Sequence, residues 1–175
     1  VVHGTDCVAF PEIQYGNLRY SFLRFIIKKS FQWASIILPV SESLVYTENS
    51  YFTNQILKFG YMHHLKGIKT PYKVIPNGVI INDWKRNTTI PKDTKSFITV
   101  MTAGKMQIKG GDLIIEIANK FPDHTFYFAG INSLEGVQIP ENIVCLGFLS
   151  SAELNRWYSK TQFYIQISNT EGFGV

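Results

Sequence analysis

Charge is scarce in this chain, and so is cysteine. Charged residues fill 17% of its 175 positions, against 45% hydrophobic and 14% aromatic. That balance excludes a disordered chain and is sufficient to bury a core. The basic excess, 17 Lys and Arg against 13 Asp and Glu, is not gathered into a dense stripe. Nucleic acid is therefore not an expected partner, whereas a net charge of +4 suits an anionic small ligand or an acidic membrane surface.

The two cysteines, Cys7 and Cys145, lie far apart and form no CxxC pair, and His63 and His64 are adjacent, so on a helix they point in different directions. This argues against a disulfide scaffold and a structural zinc site. No metal site is expected, and a reducing, cytoplasmic location is the default. Long apolar runs are also missing. The stretch 22–38 is interrupted by Arg24, Lys28, Lys29 and Gln32, so no membrane-crossing helix is expected. No leader segment is visible. The chain starts at Val1 rather than methionine and stops at Val175 just after a glycine-rich turn, and it reads as a piece of a longer protein.

What is present is an alternation of short β-branched runs with longer helical stretches. Residues 1–3 read as the end of a strand, 4–16 as a loop, 17–33 as a helix and 34–40 as a strand, with Ser41 placed to cap the segment after it. A helical stretch is expected over 51–66 and a short strand over 72–75, ending at the turn Pro76-Asn77-Gly78. The polar stretch 82–95 is the best domain boundary. Beyond it the spacing predicts strands over 96–102, 125–129, 142–146 and 162–167, and helices over 110–121 and 151–160. This alternation implies an α/β class with parallel sheets covered by helices on both faces. It divides the chain into parts of two Rossmann-like domains, 1–90 and 91–175, both incomplete.

In such sheets ligands bind outside the carboxyl ends of the strands. One such segment is Thr102-Ala103-Gly104-Lys105-Met106-Gln107-Ile108-Lys109-Gly110-Gly111-Asp112. A strand ends, two lysines flank a short loop, and glycines lead into a helix whose first N–H groups carry partial positive charge. That combination suits a diphosphate, with about 1.5–3 kcal/mol for each charge-assisted hydrogen bond. An ordinary turn with two solvated lysines fits the same residues. A Walker A loop does not: Gly104 and Gly110 are one residue too far apart, and no Lys-Ser/Thr follows the second glycine. A second segment, Ser168-Asn169-Thr170-Glu171-Gly172-Phe173-Gly174-Val175, offers a carboxylate for sugar hydroxyls and glycines that permit close approach to a ligand. A third, His3-Gly4-Thr5-Asp6, puts an imidazole at a strand end, where Asp6 could orient it or cap the next segment.

Taken in order, these segments form a pattern together with Pro39-Val40-Ser41-Glu42-Ser43, Val74-Ile75-Pro76-Asn77-Gly78-Val79 and Cys145-Leu146-Gly147-Phe148. The chain resembles the retaining family-4 glycosyltransferases of the two-domain GT-B fold over essentially its whole length. The resemblance implies a nucleotide-sugar donor, UDP- or GDP-linked, no other cofactor, and a glycan or lipid-linked acceptor. It implies that Gly104, Lys105 and Lys109 bind the donor diphosphate. The family usually has arginine where Lys105 stands, and lysine keeps the charge but not the bidentate fork. Glu171 matches the first glutamate of the family's paired motif, which contacts the transferred sugar; the second would lie beyond Val175. Backbone amides of Gly172, Phe173 and Gly174 would contact sugar and phosphate. His3 would face the donor sugar, making His3 and Glu171 the catalytic candidates. Gly147, Phe148 and Leu149 would contact the base. The other reading is a non-catalytic GT-B-like module that binds nucleotide or glycan, or serves as a partner subunit.

The helix over 17–33 carries two apolar stripes. Leu18, Phe22, Phe25, Ile26 and Trp33 form one, and Tyr20, Leu23, Ile27 and Phe31 the other; Arg24 and Lys28 lie on a third side. Two stripes predict a helix packed between layers. The competing expectation is an interfacial helix on the inner face of the cytoplasmic membrane.

Overall fold

The computed structural model describes residues 1–50, 56–134 and 138–172. They group into two compact units. One is Val1–Val79 joined by the described residues 170–172, and the other is Ile80–Asn169.

The first unit opens with short 3-10 turns at Thr5–Cys7, Pro11–Ile13 and Asn17–Arg19, which lead into helix α1 (Ser21–Trp33). The expected helix start at residue 17 is thus a 3-10 turn, braced by Asn17 donating to the Asp6 carboxylate at 2.8 Å. Asp6 therefore holds the next segment. The expected strands at 1–3, 34–40 and 72–75 are extended runs joined only by isolated parallel bridges, Val2 with Pro39 and Ile37 with Tyr72. Their hydrogen bonds still follow a parallel ladder: Val2 N–H donates to Leu38 carbonyl, Val40 to Val2, Lys73 to Ile37 and Ile75 to Pro39, at 2.9–3.2 Å. Pro39 and Pro71 accept in this ladder but have no N–H to return, which keeps it short.

The helix expected over 51–66 needs correcting. Residues 51–55 lie outside the described residues. Beyond them the chain forms an antiparallel pair, β1 (Thr47–Asn49) with β2 (Leu57–Phe59), and then a single helical turn, α2 (Tyr61–His64). Leu57 and Phe59 turn toward the core while Lys58 stays outside and pairs with Glu48 at 3.3 Å. This period of two is too short to be told from a helical pattern in sequence. Leu18, Leu44, Tyr61 and Leu65 are fully buried in the core of this unit. Burial pushes the Cys7 thiol, also in this core, up to about 12.

The second unit is regular. Strands β3 (Asp93–Val100), β4 (Thr125–Ala129), β5 (Ile143–Gly147) and β6 (Thr161–Tyr164) form an all-parallel sheet in the order β5-β4-β3-β6. Helix α3 (Gly111–Lys120) connects β3 to β4, and α4 (Ser151–Lys160) connects β5 to β6. Ile114, Ile115 and Ala118 of α3 share a core cluster with Phe126 and Phe128. Tyr127, which must point to the opposite face, meets Trp157 of α4 at 4.6 Å. The sheet is thus covered on both faces, a Rossmann-like α/β arrangement. At its centre Phe97 stacks on Phe126 at 4.9 Å and on Phe163 at 5.2 Å, along the strand register. Ser150 and Glu153 form a reciprocal capping box at the start of α4.

The polar stretch that reads as a boundary is tied to α4. Asn155 donates to the carbonyls of Asp83 and Lys85 at 3.2 Å each, and Asn87 N–H donates to Ser159 at 2.9 Å. The division therefore falls at Val79/Ile80 instead of near residue 90. Polarity marked this stretch as a linker because its partners, Asn155 and Ser159, are also polar.

Candidate functional site

The parallel sheet has one topological switch point. From β3 the chain runs outward through β4 to β5, then returns across the sheet to place β6 on the other side of β3. In open α/β sheets the crevice outside the carboxyl ends of two such strands is the usual ligand position. Here those ends are the segments following Val100 and following Tyr164.

The lysine–glycine loop occupies this position. It begins with a 3-10 turn, Ala103–Lys105, and closes with Gly110 in a left-handed conformation at φ +71°. A Cβ on Gly110 would stand 2.4 Å from the Ile167 carbonyl oxygen, so only glycine lets the loop pass against the end of β6. Asn169 fastens the two together. Its N–H donates to Ile108 carbonyl at 2.9 Å and its side-chain amide to Gln107 carbonyl at 3.0 Å. Gly104 and Lys105 are exposed on the loop and Lys109 is half-buried.

One expectation about this loop needs correcting. Its backbone N–H groups do not all face outward. Lys109 donates to Lys105 carbonyl at 2.9 Å, Gly110 to Gln107 at 3.3 Å and Gly111 to Met106 at 2.8 Å. The loop is wound tightly enough to consume these donors itself. Positive charge for an anion must come from the two ammonium groups and from the turn beyond Gly111, where no side chain caps α3.

Gly147, Phe148 and Leu149 follow β5, two strands from β3, or about 10 Å at normal strand spacing. Gly147 is fixed by its N–H to Ile131 carbonyl at 2.9 Å and by its own carbonyl, which accepts from Gly130 at 2.7 Å. Phe148 is 87% exposed, the most open of the large apolar side chains described. Leu149 is half-buried.

His3, Glu171 and Gly172 belong to the first unit. His3 is exposed at the end of the first extended run. Gly172 lies on the backbone of His3 and Gly4: a Cβ there would fall 1.9 Å from His3 carbonyl oxygen, which no side chain can do without displacing the segment. Glu171 carbonyl accepts from Ser43 Oγ at 3.5 Å, and Ser43 Oγ is 2.7 Å from Ser41 Oγ. The Glu171 carboxylate is close enough to Tyr15 to help burial raise its phenol above the usual range, burial being the larger cause. Phe173 and Gly174 lie outside the described residues.

Three residues around these positions carry no signal in the sequence pattern. Tyr15 comes near Glu171 because Phe10 and Tyr15 form an antiparallel bridge around the turn at Pro11–Ile13. Ser43 and Asn169 stand within the motif segments, but nothing in their spacing shows which backbone groups they hold. Among the described residues no group of three or more His, Cys, Asp or Glu is arranged to hold a metal ion.

No protein-family model matches the chain, and no curated protein matches it. The fold and the geometry of these segments therefore carry the functional reading.

Proposed function

We propose that this chain is part of a retaining glycosyltransferase of the two-domain GT-B type. It would move a sugar from a UDP- or GDP-linked donor to a glycan or lipid-linked acceptor in surface polysaccharide or lipopolysaccharide assembly. The single observation that supports this most is the lysine–glycine loop standing at the switch point of an all-parallel sheet.

In this reading Lys105 and Lys109 hold the donor diphosphate, with Gly104 allowing close approach. Negative charge grows on the diphosphate as it departs from an oxocarbenium-like sugar. Fixed ammonium groups stabilise that charge more in the transition state than in the ground state, which is what lowers the barrier. Glu171 accepts hydrogen bonds from hydroxyls of the transferred sugar, and His3 and the backbone at Gly172 contact the sugar. Phe148 offers an exposed ring face to the base beside Gly147 and Leu149. The departing phosphate takes the acceptor proton, so no protein base is assigned. Retention follows when the acceptor attacks from the face that the diphosphate leaves.

Calorimetry with UDP and GDP tests the diphosphate assignment. Lys109→Ala should weaken the preferred nucleotide by roughly 10- to 100-fold, the loss of one charge-assisted contact. Lys105→Ala should cost less, since that side chain is the more exposed. Affinity unchanged in Lys109→Ala would remove the assignment. The alternative, a binding module without turnover, is favoured by the loop's self-consumed N–H groups. Tight nucleotide binding by the longer protein, with neither sugar transfer nor release of nucleoside diphosphate, would establish it.

A further inference from the structure

Helix α1 is not packed between layers. Its second stripe turns inward: Phe31 is buried, and Leu23 and Ile27 are half-buried. Its first stripe does not. Phe22 is 73% exposed, Phe25 59%, Ile26 44% and Trp33 82%. At helical spacing these four share one face, about 20 Å long for a helix of this length. Lys29 rises within the face, half-buried, its ammonium 5.9 Å from the Phe25 ring centre. Phe25, Ile26, Lys29, Ser30, Trp33 and Ala34 line an open groove along it.

Charge points to what covers this face. From residue 13 to residue 41 the chain has no acidic residue and four basic ones, Arg19, Arg24, Lys28 and Lys29. Arg24 is held in place by donating from Nε to Leu18 carbonyl at 2.7 Å. Lysine stems can lie along apolar surface while their ammonium groups reach outward, and tryptophan and phenylalanine favour the zone between headgroups and acyl chains. Among the described residues no helix is long and apolar enough to cross a membrane. A helix with one apolar aromatic face, set in a segment without negative charge, has the chemistry to lie in the plane of an anionic bilayer.

We propose that α1 docks this unit on an anionic lipid surface, inserting Phe22, Phe25, Ile26 and Trp33 while Lys28 and Lys29 engage the headgroups. The docking does not depend on the glycosyl-transfer reading.

The test is co-sedimentation of the full chain with vesicles of phosphatidylcholine alone or mixed with phosphatidylglycerol. The unaltered chain should sediment with the anionic vesicles, and added salt should weaken it. Phe25→Ser with Trp33→Ser should lower the partition coefficient tenfold or more. Lys28→Gln with Lys29→Gln should lower it about fivefold per lysine, the factor for about 1 kcal/mol per basic residue at an anionic surface. All four side chains lie outside the core, so unchanged circular dichroism and thermal midpoint will show that the variants are folded. The proposal is overturned if the unaltered chain stays in solution with anionic vesicles. It is equally overturned if the apolar variant sediments as strongly as the original, or if binding is the same to neutral vesicles and indifferent to salt. A concentration-dependent dimer lost in the apolar variant, without vesicle binding, would assign the face to a second copy instead.

Discussion

Residues 93–164 and residues 1–79 solve the problem of backbone pairing in different ways. In the sheet unit, four strands share one parallel ladder, and the rings of Phe97, Phe126 and Phe163 stack along its register. In the other unit the equivalent segments meet at single bridges, and 3-10 turns, a two-stranded hairpin and side-chain hydrogen bonds supply the rest. Both nevertheless bury large side chains completely, Phe126 and Phe128 in one and Tyr61, Leu44 and Leu65 in the other. Apolar burial does not require a regular ladder. A regular ladder requires runs of residues with both faces buried and without proline, which only the second unit has.

The largest effects should come from emptying the two cores. Phe128→Ala should cost about 3–5 kcal/mol and Leu65→Ala about 2–5 kcal/mol, since both side chains are almost wholly buried. Urea unfolding with residue-resolved amide exchange measures both. If Leu65→Ala costs less than about 1 kcal/mol, as a surface change would, the irregular unit is loosely packed and the equivalence of the two cores fails.

Two glycines sharpen the contrast. Gly110→Ala places a methyl group 2.4 Å from Ile167 carbonyl and a side chain at φ +71°. It should destabilise the sheet unit by about 2–4 kcal/mol, from strain and overpacking together. Gly172→Ala meets a closer obstacle, the His3 carbonyl at 1.9 Å, but in a segment belonging to neither core. The segment should move away and stability should change little. The readout is Tyr15: with the Glu171 carboxylate displaced, its phenol should titrate lower than in the unaltered chain. An unmoved Tyr15 titration would mean the segment had stayed against His3.

Local signals made the sheet unit legible. Ser150 and Glu153 announce α4 by capping-box spacing, and Thr125–Ala129 alternates as a strand should. The first unit was less so. Leu57 and Phe59 follow a period of two for too few residues to outweigh a helical pattern, and Pro39 interrupts an otherwise strand-like run. The exposed stripe of α1 could not be separated from the buried one, because both are apolar at the same spacing. At the candidate site, the loop's place at a strand end was readable. Its winding, which consumes the Lys109, Gly110 and Gly111 N–H groups, was not, because those bonds run to backbone carbonyls of any residue type. Nor was the contact of Gly172 with His3, which joins positions at opposite ends of the sequence.

The smallest expected effect is a pH response confined to the irregular unit. His64 is half-buried, and its Nε2 has no hydrogen-bond partner among the described residues. Burial pushes its pKa down from 6.5 to about 4, helped by the neighbouring His63 and by Arg24. The unfolded chain therefore binds a proton before the folded one as pH falls. Stability from the neutral imidazole is fully present above about 6.5 and is lost progressively toward pH 4. The slope cannot exceed about 1.36 kcal/mol per pH unit for one proton, and partial exposure keeps it smaller. Urea midpoints at pH 7 and pH 5 should differ more for the unaltered chain than for His64→Gln. The extra loss of amide protection should fall around Tyr61–His64 and Leu65, with β3 and β4 unaffected. If His64→Gln shows the same loss, or if the sheet strands lose protection in step, the response belongs to the chain as a whole, and burial without a regular ladder would no longer set the first unit apart.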